Sequence, residues 1–226
     1  VILATIGMAY GAGANLMLAK APQARLPAAQ SPAPIPEATF SDAPESVEEP
    51  KTENKQDAGI PVKEWRVSGG GKLAFTVDWN GTPINGTFRR WNSDIRFSPD
   101  DLAQSRIRVT IDVGSASTAD NQRDDMLLSE SFLNAAAHPK AVFNSSSIRL
   151  LNGDHYSARG TLDMNGKAHP VTLSFKLKID GTRAEVAGSS SLRRTQFGVG
   201  TGEWAATNEV ADTVLITFDF TARAAQ

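Results

Sequence analysis

From Val62 onward the chain alternates apolar and polar residues with a period of two. Lys72–Asp78 places Leu73, Phe75 and Val77 on one face, with Lys72, Thr76 and Asp78 on the other. Arg106–Gly114 sets Ile107, Val109, Ile111 and Val113 against Arg106, Arg108, Thr110 and Asp112. Val171–Ile179 sets Val171, Leu173, Phe175, Leu177 and Ile179 against Thr172, Ser174, Lys176 and Lys178. Val214–Phe220 sets Val214, Ile216, Phe218 and Phe220 against Leu215, Thr217 and Asp219. Weaker runs follow the same rule at Thr87–Phe97, Ala141–Leu150, Tyr156–Met164 and Ala184–Leu192. This spacing predicts strands with one greasy and one wet face. Asn80-Gly81, Asn85-Gly86, Asn152-Gly153, Asn165-Gly166 and Asp180-Gly181 are dipeptides that accept positive φ, and they predict tight hairpins between the runs. About eight such strands joined by short turns form an antiparallel meander. Apolar faces on nearly every strand require closure, as a barrel or a two-sheet sandwich. Residues 62–224 suit an all-β, eight-stranded barrel, whose interior can enclose a ligand.

One stretch breaks the pattern. Ala119–Ala137 is rich in helix formers and carries the apolar cluster Met126, Leu127, Leu128, Phe132 and Leu133. Asp120 is a candidate N-cap and Pro139 ends the run, so one or two helical turns are expected over a barrel end. They serve as a gate or simply plug the core.

The first 61 residues are different material. Val1–Ala19 carries no charge and only Thr5, Tyr10 and Asn15 as polar interruptions. About 19 helical residues approach the thickness of a bilayer's hydrocarbon core, so a hydrophobic helix is expected, as membrane anchor or signal segment. It opens on Val without a basic leader, and further sequence upstream is expected. Lys20–Pro61 holds eight of the chain's twelve prolines and seven acidic residues against four basic ones. It cannot bury enough apolar surface to offset the entropy of ordering, which predicts a disordered linker. The domains expected are therefore 1–19, 20–61 and 62–224.

Charge and composition narrow the chemistry. A net charge of −2 gives no basic field for nucleic acid. The absence of cysteine excludes disulfides, thiol catalysis and zinc-thiolate sites. His138, His155 and His169 all lie near turns, outside any metal-ligand spacing. Gly198-Val-Gly200-Thr-Gly202 lacks the spacing and setting of a dinucleotide loop, and Ser68-Gly69-Gly70-Gly71-Lys72 lacks that of a phosphate loop. An enzyme is not expected. The candidate site is the inward set: Phe75, Val77, Phe88, Trp91, Val109, Ile111, Phe143, Leu162, Met164, Leu173, Phe175, Phe197, Ile216 and Phe218. These side chains either line a ligand cavity or fill the barrel. Arg194, at an apolar strand end, either hydrogen-bonds a lipid head group or pairs with a surface carboxylate.

Nine short runs occur in order: Leu73-Ala-Phe75; Gly86-Thr-Phe88; Ile95-Arg-Phe97-Ser-Pro99; Arg123-Asp124 with Leu127 and Ser129; Phe132; His138-Pro139-Lys-Ala141-Val-Phe143-Asn-Ser145; Gly160-Thr-Leu162-Asp-Met164-Asn-Gly166; Pro170-Val171; and Arg194-Thr-Gln-Phe197-Gly198-Val-Gly200. Together they resemble the YceI-like family over residues 63–223. The resemblance departs at His138, where an aromatic is usual, and at Gln196, where an acidic residue is frequent. It implies a lipocalin-like antiparallel barrel that binds polyisoprenoid or quinone-type lipid in an elongated apolar cavity, in the periplasm. Some members follow a membrane b-type cytochrome domain on the same chain, which would suit an anchor and tether here. The expected partners are a hydrophobic lipid, the membrane through residues 1–19, a cytochrome domain upstream and, at most, a second copy in a dimer. No cofactor is expected beyond the lipid itself. The alternative function is a structural or redox-accessory periplasmic domain that docks on a membrane cytochrome and holds no ligand. Location is expected to be the periplasm, by a tether to the inner membrane or by secretion after signal cleavage.

Overall fold

The computed structural model describes residues 62–225, and the expectations for Val1–Ala19 and Lys20–Pro61 lie outside them. The described chain forms ten strands: β1 (Lys63–Trp79), β2 (Thr82–Phe88), β3 (Trp91–Phe97), β4 (Arg106–Asp112), β5 (Ala116–Ser117), β6 (Lys140–Asn152), β7 (His155–Met164), β8 (Lys167–Asp180), β9 (Arg183–Arg193) and β10 (Val210–Ala224). One helix, α1 (Asn121–Leu128), lies between β5 and β6. All pairings are antiparallel, and β10 returns to pair with β1. The ring β1-β3-β4-β6-β7-β8-β9-β10 is thus an eight-stranded closed barrel, with β2 and β5 added beside β1. Closure of the ring leaves β2 and the short β5 as the sheet's edge strands.

The strong alternating runs became strands with the expected faces. The expected single run Thr87–Phe97 did not. It breaks at Arg89-Arg90 into β2 and β3, because these backbones pair sideways instead of along a ladder. The Arg89 N–H donates to the Ser115 carbonyl, and the Asp112 N–H donates to that of Arg90. β1 is shared accordingly: Lys63–Trp65 pairs with β3, and Ala74–Trp79 with β2. Between these halves β1 carries the Ser68-Gly-Gly-Gly run. Ser68 opposes Thr221 while Lys72 opposes Asp219, so β1 holds two extra residues there. Gly69 and Gly70 take φ of 24° and 83°, a bulge that only glycine adopts without strain.

Asn80-Gly81 and Asn165-Gly166 close the β1–β2 and β7–β8 hairpins with positive φ at both positions, as type I′ turns require. Asn85-Gly86, expected as a turn, lies instead inside β2. Gly86 pairs with Phe75, and a side chain at that position would collide with the Phe75 ring. The missing Cβ serves packing there, not a turn.

α1 starts where Asp120 caps it, its carboxylate accepting from the Arg123 N–H at 2.9 Å. It ends at Leu128, because the Ser129 hydroxyl bonds back to the Met126 carbonyl and Asn134 adopts φ of 49° in the turns that follow. Its apolar residues and the buried Phe132 and Leu133 cover one end of the barrel.

The core has two tiers. The tier under α1 contains Phe75, Val113, Phe132, Phe143, Leu162 and Phe197. The opposite tier contains Trp65, Phe97, Tyr156 and Phe175, with Ala158, Ala184 and Ala222 as small neighbours.

Candidate functional site

The barrel interior holds a partly open cavity of about 240 Å³ that is lined by both tiers and whose exposed wall is entirely apolar. The inward period-two positions supply that wall. Phe75, Val77, Phe88, Trp91, Val109, Ile111, Phe143, Leu162, Met164, Leu173, Phe175, Phe197, Ile216 and Phe218 all lie on it. Aromatic pairs stiffen both levels: Phe75 and Phe88 at 5.4 Å, Trp91 edge-on to Phe220 at 5.6 Å, and Tyr156 stacked on Phe175 at 5.7 Å. Leu127, Phe132 and Leu133 bound the α1 end, while Trp65, Phe97 and Phe175 bound the other.

Trp65, Ile95, Phe97, Leu192 and Phe220 also line the cavity and were not among the expected residues. Extending the parity of neighbours that were expected would have found most of them. Phe220 continues Ile216 and Phe218, and Ile95 and Phe97 continue Trp91. Trp65 shares the parity of Leu73, Phe75 and Val77, since the bulge adds an even number of residues, but it lies before the alternating run that begins at Lys72.

Three polar residues touch the wall. The Ser190 hydroxyl donates to the Thr172 carbonyl at 2.9 Å. Ser93 Oγ is buried with no hydrogen-bond partner among the described residues. Arg194 corrects the expected reading. It is 3% exposed, and its guanidinium bonds five backbone carbonyls: Ala211, Val199, Gly200, Ala206 and Val210, at 2.8–3.2 Å. A guanidinium has five N–H donors, so none is left for a lipid head group. Nor does Arg194 pair with a surface carboxylate. It is the hub around which the chain from Val199 to Ala211 wraps. Burial lowers its pKa from the ordinary value, with the nearby Asp212 charge acting the other way. Burial pushes the Asp212 carboxyl up, but bonds from the Thr195 hydroxyl and N–H, with Arg193 and Arg194 nearby, bring it below its usual value.

A wall of this kind holds a guest by excluding water, and it offers no cation to an anionic one. The same residues that form this closed barrel, with its helix over one end and apolar interior, carry a family signature: residues 65–222 match the model of the YceI-like domain. The chain belongs to the YceI-like family. A UPF0312 protein of Yersinia pestis is 33% identical over 133 residues, covering 56% of this YceI-like chain and 69% of the relative. Among solved structures, BcnA of Burkholderia cenocepacia is 32% identical, with a TM-score of 0.65 over 67% of this chain and 95% of that one. A structure described as a polyisoprenoid binding domain from Saccharophagus degradans has a TM-score of 0.56 over 74% of this chain and 100% of its own. Its 15% identity makes that a likeness of fold. The two family departures are local. His138 lies against Gly166 at the β7–β8 turn, and Gln196 is exposed.

Proposed function

We propose that this chain is a lipid-binding module of the bacterial periplasm that holds a long, uncharged isoprenoid or quinone-type lipid inside the barrel. The observation that carries this reading is the interior cavity whose exposed surface is wholly apolar. Each buried methylene contributes about 0.8 kcal/mol, so ten of them supply about 8 kcal/mol before the cost of association. That cost is of comparable size, which makes the guest exchangeable, as a carrier requires. The fold neighbour described as a polyisoprenoid binding domain supports the same class of guest. The apolar Val1–Ala19 segment and the proline-rich stretch after it suit a barrel tethered at the inner membrane, beside or behind a cytochrome domain. Binding, not catalysis, is the activity proposed. The open interior favours it over a solid accessory domain.

Expression of the full chain, solvent extraction and mass spectrometry should recover a prenyl or quinone lipid in near-stoichiometric amount. No co-purified lipid, together with no saturable binding of either class, overturns the reading. Leu173→Trp is the matching variant, since Leu173 borders the cavity between the two tiers. Uptake should fall while the melting temperature holds. If the interior is effectively full, overpacking costs about 1–3 kcal/mol and melting falls instead.

A further inference from the structure

Ser93 interrupts the inward face of β3. Trp91, Ser93, Ile95 and Phe97 share one parity along that strand, and three of the four are apolar. Ser93 lies on the cavity wall, paired with Val109 of β4. It sits at the level between the tiers: Ile111, opposite Trp91, packs on the α1-side tier, and Ile95 packs on the other.

Other buried serines are bonded. The Ser105 hydroxyl reaches the carbonyls of Ser98 and Asp101, the Ser115 hydroxyl those of Arg90 and Asp112, and the Ser190 hydroxyl that of Thr172. Ser93 Oγ alone among the described residues is a buried side-chain oxygen without a protein partner. An unpaired buried hydroxyl lowers stability, and an alanine or valine would fill the position better. The oxygen is tucked into the wall, yet it has no bond to break when it rotates about its single side-chain torsion toward the cavity. Arg194, the charged residue of the wall, has no free donor.

We propose that Ser93 is the polar recognition point of the cavity, bonding an uncharged oxygen of the lipid guest: a carbonyl, ether or hydroxyl. This rests on the lipid-binding reading and narrows it. The guest is an oxygenated, neutral isoprenoid whose polar end reaches the middle of the barrel. A pure hydrocarbon leaves Ser93 unpaired, and an ionised phosphate would be buried beside a lone hydroxyl without a counter-charge.

The test uses the full chain with three probes that share the farnesyl chain: farnesol, farnesyl methyl ether and the hydrocarbon farnesene. Tryptophan emission reports occupancy, since Trp65 and Trp91 lie on the wall. Ser93→Ala is expected to lower the affinity ratio of each oxygenated probe to farnesene by about three- to tenfold, the size of one hydrogen bond. Farnesene affinity should stay within about twofold, because removing an unpaired hydroxyl costs no contact. The variant should melt no lower than wild type, and Ser93→Thr should restore the ratio. An unchanged ratio in Ser93→Ala overturns the proposal while leaving lipid binding in place. If wild type binds none of the three probes, the lipid-binding reading fails and takes this proposal with it.

Discussion

Replacing Arg194 by methionine keeps a long side chain at the site and removes all five donors. The carbonyls it serves are not equivalent. Those of Val199, Gly200 and Val210 belong to buried residues, whereas Ala206 is exposed and Ala211 half-buried, where water can substitute. Each buried acceptor left unpaired costs about 1–3 kcal/mol, and some relaxation of the loop is expected, so the total should be about 4 kcal/mol. For a chain of this size that is a fall of about 8–16 °C in melting temperature. Arg194→Lys should recover less than half, since one ammonium offers three donors from a single point and cannot span the fan of carbonyls. Thermal unfolding followed by far-ultraviolet circular dichroism, with near-ultraviolet signal as a check on packing, measures both. A methionine variant that melts within about 2 °C of wild type would refute the hub argument. A lysine variant that keeps its stability yet loses lipid would return Arg194 to a head-group role.

Two further substitutions probe other parts of the barrel. Gly86→Ala puts a methyl group into the Phe75 ring. It should destabilise by about 1–3 kcal/mol and reduce lipid uptake as Phe75 is driven into the cavity; normal melting and normal uptake together would show that the ring yields freely. Asp212 has a folded-state pKa below its usual value. Its stabilising contribution is therefore complete above about pH 4, where the unfolded carboxyl is also ionised, and is lost as pH falls through the lower folded value. Asp212→Asn should melt below wild type at pH 6, with the gap closing under acid conditions. A gap that is constant between pH 6 and pH 2.5 would contradict this.

The cavity wall was readable because parity is a local property. Val109 and Ile111, or Leu173 and Phe175, need only their own strand to declare which way they face. What parity could not tell was whether the inward side chains meet. Gly160 on β7, for example, gives its space to the Phe143 ring on β6, and that balance emerges only once the strands are in register. Asn85-Gly86 was misread for a related reason. The dipeptide has the chemistry of a turn, but Asn80-Gly81 five residues earlier already makes one, and the glycine at 86 answers to a ring on another strand. Arg194 was placed at the right site and given the wrong task. Its partners lie between five and seventeen residues away, on the connection that follows and on the start of β10, and they are backbone oxygens, which every residue carries. Ser93 stood in the sequence as one polar residue in a weak run. Only its lack of a partner in the fold gives it meaning.

The divided loyalty of β1 bears on how the molecule yields. Its first part belongs to β3 and its last part to β2, and no ladder joins Arg66–Leu73 to either. Elsewhere around the ring, parting two strands means breaking consecutive amide bonds. Along this stretch the staves are held on that flank chiefly by side chains, Trp91 against Gly71 and Phe220 foremost. The cylinder therefore has one fault line, and thermal breathing that widens it breaks fewer bonds there than anywhere else on the circumference.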